Sequence, residues 1–130
     1  KGANRRRVMI VDDDPDALAL MEKILTDEGF ELIKVSNATE VGLKAAQLSP
    51  DLILLDFLMP EINGFEVCKA LRENELTRGT PIMAVTCLSK EQDIERIFSC
   101  GADEYLAKPF KVDQMLEKVR ELLGRGRIVE

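Results

Sequence analysis

Apolar residues gather in five short runs, at residues 8–11, 31–35, 52–55, 82–85 and 104–107. Several are apolar almost throughout, the pattern of strands covered on both faces in a parallel sheet. Between and after them the period becomes helical. Leu18, Met21 and Leu25 recur at i, i+3, i+7, and Val41, Ala45 and Leu48 at i, i+4, i+7. Val67 and Leu71 share a face, as do Ile94, Ile97 and Phe98. Val112, Met115, Leu116, Val119, Leu122 and Leu123 form the clearest stripe.

The punctuation agrees. Asp14 followed by Pro15 suits the cap and first position of a helix, and Gly29 its C-terminal stop. Gly101 and Gly124 are expected to close the fourth and fifth helices in the same way, and Asn63-Gly64 marks a turn before the third. Five alternations of strand and helix predict a doubly wound, three-layer α/β fold, because parallel strands need right-handed crossover helices. Such folds bind ligands beyond the carboxyl ends of their strands.

The residues at those ends carry the candidate chemistry. The first strand runs into Asp12-Asp13-Asp14, the third into Asp56, the fourth into Thr86 and the fifth into Lys108; the second, expected at the edge, ends in Ser36-Asn37 and offers little. Carboxylates crowded together repel one another unless a cation intervenes. Hard oxygen ligands suit Mg²⁺, and a carboxylate is a competent phosphoryl acceptor. A lysine and a hydroxyl beside it are placed to neutralise and hydrogen-bond a transferred phosphoryl group. Asp14 is assigned to capping instead of ligation.

Composition narrows the options. The chain is 130 residues long, 45% hydrophobic and 32% charged, which suits one folded domain and not a disordered one. Its net charge of −6 gives the domain no electrostatic reason to grip nucleic acid or an anionic membrane, and Arg5-Arg6-Arg7 reads as a solvated strand flank. No apolar stretch approaches the roughly 18 residues of a spanning helix. Three cysteines without C-x-x-C spacing read as buried reduced thiols of a cytoplasmic protein. The start at Lys1-Gly2-Ala3-Asn4 and the Gly124-Arg125-Gly126-Arg127 stretch suggest a piece of a longer protein. The expected organisation is an unstructured or artificial N-terminus at 1–5, a folded domain at 6–124 and a tail or linker start at 125–130.

The segments 8–16 (VMIVDDDPD) and 51–60 (DLILLDFLMP), followed by Asn63-Gly64, Val85-Thr86 and Lys108-Pro109-Phe110, together resemble bacterial two-component response-regulator receiver domains of the chemotaxis-regulator type. The resemblance covers residues 5–124 in order and spacing. It implies a flavodoxin-like sheet of order 2-1-3-4-5 and Asp56 as phosphoacceptor. It also implies Mg²⁺ on Asp12, Asp13, Asp56 and the backbone carbonyl of Leu58. Lys108 and Thr86 would contact the phosphoryl group, Thr86 and Tyr105 would act as switch residues, and the Lys108-Pro109 bond would be cis. The donor would be a sensor histidine kinase or histidine phosphotransfer protein. The domain would catalyse its own phosphorylation and dephosphorylation while serving signalling instead of metabolism. The reader of the switch would be an unknown output domain, an effector, or a second copy, docking on the fourth helix, fifth strand and fifth helix.

Cys87 stands where that family usually has a smaller residue and is expected to be a small buried hydrophobe. Leu58 and Leu88, two residues beyond Asp56 and Thr86, border the path of the hydrolytic water in this family; neither can orient a water, so slow dephosphorylation is expected. Two other classes compete. Asp12-x-Asp14 matches the first motif of haloacid-dehalogenase-type Mg²⁺ phosphatases, but Pro15 stands where those want glycine and the chain leaves no room for a cap domain. A degenerate receiver used only for docking is the other, and the complete set of acids, threonine and lysine argues against it.

Overall fold

A computed structural model describes residues 5–60 and 63–125 of the chain. Apart from Arg5 and Arg125, the expected N-terminal and C-terminal tails lie outside the described residues. The strands are β1 (Arg7–Val11), β2 (Glu31–Val35), β3 (Leu52–Leu55), β4 (Ile82–Thr86) and β5 (Glu104–Ala107). The helices are α1 (Pro15–Asp27), α2 (Val41–Leu48), α3 (Gly64–Glu73), α4 (Glu91–Ser99) and α5 (Val112–Arg125). The strands are parallel, in the order 2-1-3-4-5. The expected (βα)₅ doubly wound fold is therefore present, with β2 at one edge.

Strand alternation divides the core into two layers. Met9, Val11, Ile53, Leu55, Ile82 and Ala84 pack with residues of α2, α3 and α4. Val8, Ile10, Leu52, Leu54, Met83, Val85 and Leu106 pack with α1 and α5. The three central strands are buried along almost their whole length, at about 1.5–3 kcal/mol per large side chain removed from water. Those strands hold the rim in place.

The helix ends mostly follow the sequence signals. Asp14 caps α1 by accepting from the Asp16 N–H at 3.0 Å, with Pro15 as the first helical residue. Gly29 and Gly101 follow α1 and α4 at φ of 92° and 120°, where a side chain would be strained. Asn63 caps α3 through the Phe65 N–H at 2.8 Å, and the bare Cα of Gly64 lies against the Phe57 backbone, where any side chain would collide. That contact seats α3 directly beneath the loop after Asp56.

Four details differ from expectation. Gly124 does not stop α5, which runs through it to Arg125. β4 includes Thr86, whose pairing with Ala107 extends the ladder by one residue. A short 3₁₀ turn at Ala38–Glu40, capped by Asn37, precedes α2. Phe98 and Leu48 lie at the borders of their apolar stripes and remain 43% and 37% exposed.

Candidate functional site

Residues from the ends of β1, β3, β4 and β5 form one rim. Asp12 follows β1 and is fully buried, its backbone N–H donating to the Val35 carbonyl at 3.1 Å. One of its carboxylate oxygens accepts from the Asp14 N–H at 3.0 Å, while Asp14 itself turns to its cap. Asp56 follows β3, is 6% exposed, and its Oδ1 accepts from the Leu58 N–H at 3.0 Å. The Lys108 Nζ donates to Asp12 Oδ2 at 2.6 Å and to Asp56 Oδ2 at 3.2 Å. Asp13, exposed, contributes a third carboxylate, and oxygens of Asp12, Asp13 and Asp56 all lie within 4.8 Å of one another.

The electrostatics follow from two buried carboxylates sharing one cation, with a third carboxylate beside them. Burial pushes the Asp12 carboxyl above its ordinary pKa despite hydrogen bonds from Lys108 and the Asp14 N–H, and the charge of Asp56 adds to the push. Burial works to lower the Lys108 pKa, but the hydrogen bond to Asp12 and the charges of Asp56 and Asp12 together outweigh it and hold the ammonium above its ordinary range. Both pKa values move upward, which favours the charged form of Lys108 and the neutral form of Asp12. The cluster is short of positive charge: the lysine gains from two carboxylates while each carboxylate has only part of a lysine. Three converging hard oxygens suit a divalent cation.

Thr86 and Tyr105 build the adjoining layer. Thr86 is fully buried, its carbonyl accepts the Lys108 N–H at 2.9 Å, and its Oγ1 accepts from the Leu88 N–H at 3.4 Å. The Tyr105 hydroxyl donates to the Leu88 carbonyl at 2.6 Å, tying β5 to the loop after β4. Burial, with a smaller contribution from Cys87, raises the phenol above its usual pKa. The Lys108-Pro109 bond is cis, as expected.

These features match one family. A profile of the response regulator receiver domain covers residues 8–120. The chain belongs to the response-regulator receiver family. It is 41% identical over 119 residues to the DNA-binding dual master transcriptional regulator RpaA of Synechocystis sp., covering 92% of this chain and 49% of that protein. It is 35% identical over 119 residues to the polar-differentiation response regulator DivK of Brucella anthropi, covering 92% of this chain and 97% of that one. Among solved structures, a putative response regulator from Chloroflexus aurantiacus superposes with a TM-score of 0.89 at 30% identity, over 94% of this chain and 100% of that one. The receiver spans about half the length of RpaA and the mycobacterial regulators MtrA that it also resembles.

As a receiver, the chain has a phosphoacceptor role in two-component signalling, where response regulators accept phosphoryl groups from histidine kinases. The haloacid-dehalogenase alternative falls with the family match, and Asp14, its second acid, is spent on the cap of α1. No described helix is long and apolar enough to cross a membrane.

The structure brings together Asp12, Asp13, Asp56 and Lys108, and links Thr86 to Tyr105 through Leu88. Of Leu58, its N–H is engaged with Asp56 and its side chain is 57% exposed. The backbone of Leu88 as the partner of Tyr105 was not legible in the sequence, because a main-chain carbonyl carries no residue signal. Cys87 corrects an expectation. It is exposed, not buried, because the ladder ends at Thr86 and the next residue turns outward. There it lines a groove with Ala17, Leu20, Lys108, Pro109 and Phe110.

Proposed function

We propose that Asp56 is the phosphoacceptor and that Asp12, Asp13 and Asp56, with the Leu58 carbonyl, hold Mg²⁺ during transfer. The observation that carries the proposal is the shared ammonium of Lys108, 2.6 Å from Asp12 and 3.2 Å from Asp56, in a group of three carboxylates. When bound, the metal ion neutralises charge on the phosphoryl oxygens.

The residues divide the remaining work. An Asp56 oxygen attacks phosphorus in line, forming a P–O bond as the P–N bond to the donor's imidazole breaks, and the departing imidazole takes up a proton. Lys108 moves from the carboxylates to an oxygen of the arriving group. Thr86 turns its hydroxyl toward another, releasing the Leu88 N–H, and Tyr105, held to the Leu88 carbonyl, follows the loop. That shift biases α4, β5 and α5 between two arrangements, with a coupling of about 1–3 kcal/mol.

The donor is a sensor histidine kinase or a histidine phosphotransfer protein, and the reader is an output domain, an effector or a second copy on the α4-β5-α5 face. The receiver unit spans 6–124 and works in the cytoplasm, where the unbridged Cys68, Cys87 and Cys100 fit a reducing compartment. The domain catalyses its own phosphorylation and slow dephosphorylation, since Leu58 and Leu88 present no hydrogen-bonding side chain to an attacking water.

Beryllofluoride with Mg²⁺ mimics an aspartyl phosphate and tests the assignment. Amide spectra of the wild-type chain are expected to shift at Thr86, Leu88 and Tyr105, and those of Asp56→Asn to stay unchanged. Equal shifts in both proteins would refute it.

A further inference from the structure

Away from the acidic rim, α3 and the end of α4 bring two cysteines together that lie far apart in sequence. Cys68, on the inner face of α3, is fully buried, and Cys100, the residue that caps α4, is partly exposed. The Cys68 Sγ donates to the Cys100 carbonyl at 3.5 Å. The Cys100 Sγ points at the Ile97 carbonyl, 3.1 Å away, in the last turn of its own helix. Arg72, bonded to the Gly101 carbonyl at 2.9 Å and to Asp103 at 2.8 Å, fixes the loop that carries Cys100 against α3.

We propose that Cys68 and Cys100 are a peroxide-sensitive dithiol that closes to an intramolecular disulfide, with Cys100 as the sulfur oxidised first. Exposure assigns the roles: a hydroperoxide reaches Cys100 from solvent and does not reach Cys68.

The proton distribution agrees. The neighbouring Cys100 side chain keeps the proton on Cys68, pushing its pKa up, and burial pushes it further. The Cys68 side chain in turn lowers the pKa of Cys100; burial opposes this, and the Ala102 N–H and the Arg96 charge assist it. The carbonyl end of α4 works against the anion.

In the first step the Cys100 thiolate attacks one peroxide oxygen. An S–O bond forms, the O–O bond breaks, and the leaving hydroxide takes a proton to become water. In the second step the Cys68 sulfur attacks the Cys100 sulfenic acid. The S–S bond forms, the S–O bond breaks, and the hydroxide leaves with the Cys68 proton as a second water. Each sulfur gives up one electron, and the hydroperoxide takes both. The product ties α3 to the C-terminal end of α4. The proposal does not depend on which aspartate is phosphorylated.

The 130-residue chain treated with hydrogen peroxide and digested without reduction provides the test. A linked pair of peptides bearing Cys68 and Cys100, lighter by two hydrogens and separated again by dithiothreitol, is expected, with Cys87 still open to alkylation. In Cys68→Ser, dimedone is expected to tag Cys100. The proposal is overturned if Cys68 and Cys100 both stay alkylatable after Cys87 has oxidised, or if the bridge contains Cys87. The wild-type measurement stands alone should the variant fold poorly.

Discussion

The two edges of the sheet use aspartate in different ways. At the amino edge, Asp51 accepts from the Arg7 N–H at 2.8 Å, and Asp103 accepts from the Ile82 N–H at 2.9 Å and from Arg72 Nη2 at 2.8 Å. These acids fasten strand starts, and Asp103 has a guanidinium beside it. At the carboxyl edge, Asp12 and Asp56 divide one ammonium, and Asp13 adds a third negative charge. Burial alone therefore does not mark a functional aspartate, since Asp103 is as buried at its side chain as Asp56. The shortage of positive charge does. An acid matched by its own cation is chemically complete, whereas the carboxyl edge, on the proposed function, recruits a cation and then a phosphoryl group.

Breaking the amino edge should cost the most stability. Asp103→Ala takes the carboxylate from the half-buried Arg72 guanidinium, which keeps its carbonyl partners at Gly101 and Thr80, and frees the Ile82 N–H; it is expected to lose about 3 kcal/mol in urea denaturation, yet keep phosphoryl incorporation. Asp13→Ala, at the exposed side of the carboxyl edge, should stay within about 0.5 kcal/mol without divalent ions. Filling the carboxyl edge should stabilise almost as much as breaking the amino edge destabilises. Mg²⁺ at about 100 times its Kd is expected to add about 2.7 kcal/mol to the wild type, and nothing to an Asp12→Ala/Asp13→Ala double variant. A still smaller effect concerns lifetime. Leu88→Asn is expected to speed loss of the phosphoryl group about tenfold, near 1.4 kcal/mol of barrier, as read from decay of the phosphorylated mass.

The smallest effect is titration. The ammonium of Lys108 is held above its ordinary value of 10.5. Its contribution is therefore fully present below that pH and is lost as pH rises through the higher native pKa. Tyr105, raised in the same way, weakens the fold in the same direction. The wild type should consequently lose stability more steeply above pH 10.5 than Lys108→Met, which lacks the lysine's share.

Most of the carboxyl edge was legible because side-chain chemistry announced it: Asp12, Asp13, Asp56, Thr86 and Lys108 each end or follow an apolar strand. The fold was legible for a related reason, since strands buried on both faces cannot hide their polar ends. What escaped notice was set by the main chain or by tertiary packing. Tyr105 binds a backbone carbonyl, so nothing in the identity of Leu88 foretold it. The exposure of Cys87 turns on where one ladder ends, a matter of a single residue. Gly124 carried a stop signal that α5 ignores, because glycine permits left-handed backbone without compelling it. Cys68 and Cys100 meet only through the docking of α4 beside α3.

The central claim is that the carboxylate lent to phosphorus is Asp56 and no other. Acetyl phosphate and Mg²⁺ followed by borohydride reduction convert an aspartyl phosphate to homoserine, which peptide mass mapping locates. The expected result is homoserine at residue 56, lost on chelation of the metal. Homoserine at position 12 or 13, or incorporation that persists in Asp56→Asn, would contradict the account.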